Sequence, residues 1–320
     1  MWISIQLRLI AIKNHFSNDV GTQKAFSLVE LSIVILIIGV LIAAIGQGLD
    51  LLQDSKLTAA RMITQSSRVA SINKLSLWLD TTSANSFSSS ATEPDDGQSI
   101  STWYDISPQN RDKITFTQNT GANQPTYKLK GINSLPSINF NGSTYLTNST
   151  IAPITARNST YTMAIVFQSN NPSSNSAIFS QGNNLCYGNA QFAVTSNYQG
   201  FSGGCNDSNI TTPVYLGVNY ASLLQVNNNN TNNISLYSNS LTPSITATGP
   251  AGNPGSNPGS NNTHLSVTTN ETSIGCSAVV HNAVFNGLVS EIIIIDGVVS
   301  NNDIKAIMKY FSKKYNVTLR

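Results

Sequence analysis

The sequence predicts an α+β protein: a long N-terminal helix, then an antiparallel β-sandwich, then a closing C-terminal helix. Three observations carry this reading. Residues 24–52, KAFSLVELSIVILIIGVLIAAIGQGLDLL, are apolar for more than twenty positions and hold two acids, Glu30 near their start and Asp50 near their end. About 20 such residues, each rising ~1.5 Å, cross the hydrocarbon core of a bilayer. After Lys74 the texture changes to short alternating segments broken by polar turns, the pattern of strands. Finally, Ile304, Ile307, Met308 and Phe311 recur at helical spacing close to the end of the chain.

Taken in order, residues 1–25 carry Arg8, Lys13 and Lys24 against one acid, Asp19. Positive charge before an apolar span keeps that end in the cytoplasm and sends the rest across. MWISIQLRLIAI is too short and too interrupted to span by itself, and no small-x-small cleavage site follows it directly. The helix is expected over 26–74. Its 26–52 part is for membrane or filament core. Its 53–74 part is amphipathic, with Leu52, Ala59, Ala60, Ile63, Ala70 and Ile72 set among Asp54, Lys56, Arg61, Gln65 and Arg68. Such a helix of roughly 50 residues is ~75 Å long. Gly39, Gly46 and Gly48 lie inside it, where small residues allow close approach of a neighbouring helix. A carboxylate at position 30 is expensive in lipid, so Glu30 calls for a partner or a function.

The strands are expected at 75–80, within 96–107, within 132–146, at 160–169 and at 176–182. Ile292–Ile295 is apolar on both faces, as for an edge of the sandwich covered by the closing helix. Ser300 is placed to cap that helix, with Asp303 in its first turn. Lys305, Lys309, Lys313 and Lys314 are expected outside its apolar stripe. NNNNTNN (227–233) reads as a loop tip, and GPAGNPGSNPGSNN (249–262) cannot hold a helix or a strand.

Composition narrows the function. Only 10% of the 320 residues are charged and the net charge is +2, with no basic patch, which argues against a nucleic-acid partner. The three cysteines, Cys186, Cys205 and Cys276, show no metal-type spacing. In an oxidising exterior, Cys186 and Cys205 are the favoured pair, closing a Gly- and Asn-rich loop for ~3 kcal/mol; the alternative is three free thiols. Retaining glycoside hydrolysis needs two carboxyls about 5 Å apart on one face. Glu291 and Asp296 are five positions apart and face opposite sides of a strand, and no Glu-x-Asp-x-Glu pattern exists, so an enzyme is not expected. His264 and His281 lie in polar loops without a nucleophile nearby. No cofactor is expected. Calcium is the one candidate, through Glu93, Asp95, Asp96 and Asp105, and a plain acidic loop is the preferred reading. Trp78 and Trp103 read as core rather than as a sugar-stacking platform.

Two resemblances follow from these residues. Lys24-Ala25-Phe26-Ser27-Leu28-Val29-Glu30-Leu31, leading into a long apolar helix, resembles the type IV prepilin signature. The resemblance implies a leader ending at Ala25, cut by a prepilin peptidase, and a mature N-terminus at Phe26 that is then methylated. It also implies that Glu30 meets the Phe26 amine of a neighbouring subunit, so that pairing offsets the desolvation of both charges. Ala25 stands where that family usually has Gly. The implied partners are other pilin subunits, and the implied location is the bacterial inner membrane, then the pilus or cell exterior. A plain signal anchor is the rival.

The region 75–320 resembles the concanavalin A-like, laminin-G-like jelly roll. The matching pieces are Leu77 to Asp80; Asp96, Gly97, Trp103, Asp105 and Ser107; Pro136, Ile138, Phe140 and Gly142; and FNGLVSEIIIID (285–296) before the last helix. Pro108 departs from the usual Gly, and 185–280 matches poorly. What this resemblance implies is a lectin-like head with a possible glycan ligand.

Overall fold

The structure, a computed structural model, describes residues 27–88, 92–155, 160–173, 175–182, 189–195, 197–201, 210–227, 233–247, 271–278 and 281–320. It has an N-terminal helix, an antiparallel sandwich of two sheets and a C-terminal helix. The chain divides into two compact units, Met1–Leu51 and Leu52–Arg320.

Helix α1 runs Leu28–Gln65. Expected to reach about Lys74, it stops earlier: a short 3-10 turn, Arg68–Ser71, follows, and Lys74 takes a left-handed φ of 61° before the first strand. In the first unit the stretch Leu28–Ile45 has mean hydropathy 3.0 and is exposed all round, so by length and composition it can cross a membrane. In the second unit Ala60 and Ile72 of the expected apolar face are buried, but Leu52 and Ala59 are exposed, and Gln53 and Leu57 are buried in their place.

The strands in chain order are β1 (Leu75–Asp80), β2 (Thr102–Tyr104), β3 (Thr115–Thr117), β4 (Thr126–Lys128), β5 (Ser137–Asn141), β6 (Leu146–Asn148), β7 (Thr160–Ser169) and β8 (Ser176–Gly182). Then come β9 (Asn189–Thr195), β10 (Tyr198–Phe201), β11 (Ile210–Pro213), β12 (Asn219–Asn227), β13 (Asn233–Ser238), β14 (Ile245–Ala247), β15 (Thr272–Ile274) and β16 (Asn286–Ile295); α2 (Asn301–Tyr315) closes the chain. One sheet has the order β14-β13-β12-β7-β16-β5-β4, with β1 also paired to β16; the other has the order β11-β10-β9-β8-β15-β6-β3-β2. β12 and β13 pair up to Asn227 and Asn233, the ends of the expected loop tip; residues 228–232 fall outside the described set, as does 249–262.

The sandwich core is formed by Leu77, Leu79, Trp103, Phe116, Phe140, Phe167, Phe192, Phe285, Ile292 and Ile294 among others, the inward side chains of both sheets. A second core lies on the outer face of the first sheet. There Ile293, Ile295, Ala164, Val166 and Leu223 meet Ile304, Ile307, Met308, Phe311 and Tyr315 of α2. The helix therefore covers a face at the middle of the sheet, not an edge as expected, because β16 is central: it pairs β7 on one side and β5 and β1 on the other. That makes Ile292–Ile295 apolar on both faces.

A register shift between Val289 and Glu291 changes the alternation along β16. Beyond it Ile292 and Ile294 point into the sandwich, and Ile293 and Ile295 point toward the helix. Gly287 permits the close packing of this strand, since a Cβ there would stand 2.2 Å from the Gln168 carbonyl oxygen.

Candidate functional site

The start of α1 is capped from within. The Ser27 side chain accepts from the Val29 N–H at 3.3 Å, and the Glu30 carboxylate (Oε2) accepts from the Ser27 N–H at 2.8 Å. This is the reciprocal capping arrangement of a Ser-x-x-Glu start, and it gives the acid near the start of the apolar run a local partner. Ala25 and Phe26, the expected processing residues, lie outside the described residues. Cβ atoms built on Gly39 and Gly48 meet nothing within 4 Å in the chain, so no packing inside this molecule requires glycine there.

The densest polar chemistry lies under α2. Asp80 and Glu291 are cross-strand partners on β1 and β16. Lys314 of α2 enters between them, its Nζ 2.7 Å from Asp80 Oδ2 and 2.9 Å from Glu291 Oε2, with all three side chains fully buried. Glu291 accepts three further bonds: from Trp78 Nε1 at 2.7 Å, Tyr310 Oη at 2.7 Å and Tyr315 Oη at 2.8 Å. Asp80 Oδ1 accepts from the Thr82 N–H at 2.9 Å and from its hydroxyl at 2.8 Å. Thr64 of α1 joins the cluster, donating to Asp80 Oδ2 at 3.1 Å and accepting from Lys314 Nζ at 2.8 Å.

Burial pushes the Glu291 carboxyl above its ordinary range, opposed by the Lys314 ammonium and reinforced by Asp80. Burial, then the two carboxylates, hold Tyr310 and Tyr315 well above the usual phenol value, so both remain donors. Lys314 was expected outside the apolar stripe, and the structure corrects this: its position continues the buried phase Ile304, Ile307, Met308, Phe311, and two acids wait there to receive it.

The calcium candidates are not brought together. Glu93 pairs with Arg61, Asp96 accepts from the Leu129 N–H, and Asp105 is buried and accepts from Trp78 N–H, Ser107 N–H and Asn110. Among the described residues no group of three or more His, Cys, Asp or Glu stands close enough to hold a metal ion. Trp78 and Trp103 are core residues, as expected. His281 stacks on Tyr145, 4.7 Å between ring centres, with Nε2 3.6 Å from Glu271; His264, Cys186 and Cys205 lie outside the described residues. Cys276 is a buried free thiol, pushed up to about 12 by burial.

Two open clefts mark the second unit. One, about 590 Å³, is lined by Arg61, Thr64, Trp78, Asp80, Asp105 and Lys113, and so borders the buried cluster. The other, about 760 Å³, is lined by Tyr215, Asn219, Tyr220, Asn239 and Arg320. Tyr215 is 66% exposed at the rim of the latter.

No protein-family model matches the chain. No curated protein matches it. Among solved structures, it is similar to the binding domain of Paraclostridial Mosquitocidal Protein 1, with TM-score 0.48 and 10% identity over 76% of this chain and 53% of that one. It is also similar to the Botulinum Neurotoxin serotype G binding domain, with TM-score 0.46 and 9% identity over 74% of this chain and 51% of that one. Domain 4 of AbnA, an extracellular arabinanase from Geobacillus stearothermophilus in complex with arabinotriose, gives TM-score 0.41 and 13% identity over 73% and 98%. The chain spans about half the length of the first two. All three scores fall below 0.5, and these likenesses carry no argument about activity; the sandwich is read from the chain's own geometry.

Proposed function

We propose that the chain is a type IV pilin-like filament subunit, cut between Ala25 and Phe26, stored in the inner membrane and assembled through α1 into a pilus or pseudopilus. The observation that carries the reading is the apolar half of α1. From Leu28 to Ile45 large aliphatic side chains are exposed on every side of the helix, a surface that needs lipid or other copies of the helix to cover it. The prepilin-like order of residues around Ala25, Phe26 and Glu30 supports the same reading. So does Glu30 itself: one of its oxygens takes the Ser27 N–H, leaving the other to accept from a neighbour's amine. Mass spectrometry of the mature protein tests the proposal. A chain starting at N-methyl-Phe26 is the expected result, and an intact leader overturns it.

The head is read as lectin-like and adhesive, turning over no substrate. The cleft with the exposed Tyr215 ring beside Asn219, Asn239 and Arg320 has the mixture of aromatic face and amide groups that a sugar can use. A glycan array probed with the detergent-solubilised chain tests this; an array without signal leaves a purely structural head. The second reading is an anchored, unassembled surface lectin. The Ser27–Glu30 cap favours it to the extent that a plain anchor would also place Glu there.

A further inference from the structure

The cluster of Asp80, Lys314 and Glu291 holds an amine against a carboxyl with all three side chains buried, a second acid beside them. We propose that Lys314 and Asp80 condense to an intramolecular amide, with Glu291 as the proton carrier. Nζ lies 2.7 Å from Asp80 Oδ2, which sets the nitrogen against the carboxyl group it would attack. The Thr82 N–H and hydroxyl, at 2.9 and 2.8 Å from Oδ1, are placed to hold negative charge on that oxygen as the carbon becomes tetrahedral. Glu291 Oε2, 2.9 Å from Nζ, takes a proton from the ammonium and frees the attacking lone pair.

One route leads the protons on to the departing Oδ2: Thr64 Oγ1 stands 2.8 Å from Nζ and 3.1 Å from Oδ2. Nitrogen passes one proton along it after the attack; the proton held on Glu291 Oε2 then returns to nitrogen and follows by the same hydroxyl, which leaves Glu291 ionised again. The C–N bond forms, the C–Oδ2 bond breaks, and Oδ2 leaves as water carrying the two protons that nitrogen gives up. An ammonium and a carboxylate become a neutral amide and water, so total charge is unchanged and no oxidant, reductant or co-reactant enters.

The burial that makes an ion pair unfavourable here acts in the same direction. The amide product removes two buried charges. The bond would join β1 to α2, residue 80 to residue 314, and close the outer layer onto the sheet. Thr64 brings the second half of α1 into the relay, so the reaction requires that segment to be docked.

Mass spectrometry of the purified full chain under denaturing conditions tests this. The expected intact mass is one water less than the summed residues. A tryptic map should show the segment from Leu75 to Arg111 covalently joined to the segment beginning at Lys314, cut after Lys313. Separate peptides, with Lys314 open to amine labelling after unfolding, overturn the proposal. Glu291→Gln is expected to leave the two peptides separate in a folded protein; a linked map from this variant overturns the role of Glu291. The wild-type map decides the bond itself whether or not that variant folds.

Discussion

Asp80 and Glu291 face each other across the β1–β16 ladder and share one cation, Lys314 Nζ, at 2.7 and 2.9 Å. Two buried acids on one buried base make the base indispensable. Replacing Lys314 by Met leaves both buried carboxyls without it, and breaking a buried pair in this way costs about 3–5 kcal/mol. The Lys314→Met protein should unfold at markedly lower denaturant than the wild type, followed by circular dichroism. An unchanged midpoint would show that the cluster contributes nothing to the docking of α2.

Stability should also depend on pH through Glu291. Its folded-state pKa is raised, first by burial. A raised value means the folded state holds its proton more tightly than the unfolded state, where Glu titrates near ~4.3. The stability it contributes is therefore full below that value and is lost as pH rises through the folded one. The wild type minus Glu291→Gln stability difference should accordingly fall as pH rises from about 4. A difference that grows with pH would mean the ionised form is the one the four donors favour.

Cys276 should be silent to alkylation at neutral pH. Burial holds its thiol up at about 12, and the side chain is fully buried, whereas thiolate is the reactive form. Peptide mapping after alkylation should find Cys276 unmodified in the native protein and modified in denaturant. The same experiment counts the other two thiols. If Cys186 and Cys205 are bridged, neither is alkylated in denaturant without reductant.

Gly287→Ala should be destabilising out of proportion to one methyl group. The added Cβ would meet the Gln168 carbonyl oxygen at 2.2 Å and the Phe285 ring at 2.5 Å, backbone and core atoms that have little room to shift. Overpacking of this kind costs about 1–3 kcal/mol. Thermal unfolding of the variant measures it, and a melting temperature equal to that of the wild type would show that β7 and β16 can part without penalty.

How far the residues alone led is clearest at particular positions. The apolar run, the strands at 75–80, 160–169 and 176–182 and the Ser300 cap all rest on local periodicity, and the structure has them where that periodicity puts them. The cluster was missed because it is made by distant parts of the chain. Asp80 and Glu291 meet only through the β1–β16 pairing, which no local pattern announces. Lys314 carried a usable signal. It lies three positions after Phe311 and so in the buried phase of α2, but it was assigned by residue type rather than by phase. α1 ends at Gln65, where Ser67 takes an extended conformation ahead of the 3-10 turn, in a stretch free of Gly and Pro. Apolarity on both sides of β16 shows burial but not the order of strands, so a covered middle and a covered edge look alike in the sequence.

The role of Glu30 can be divided by one substitution. Its carboxylate caps the Ser27 N–H at 2.8 Å, a task glutamine performs equally well at the third helical position. Pairing with a neighbour's N-terminal amine, in contrast, requires the negative charge, because a neutral amide leaves that cation uncompensated in an apolar bundle. Glu30→Gln should thus keep the helix and its insertion into the membrane, yet fail to enter filaments. Glu30→Ala should lose both its bond to the Ser27 N–H, while the Ser27–Val29 half of the cap remains, and assembly. Electron microscopy of sheared surface filaments, with membrane fractionation of the same cells, separates these outcomes. Normal filaments from the Gln variant would leave Glu30 a capping residue only and remove the charge-pairing argument for assembly.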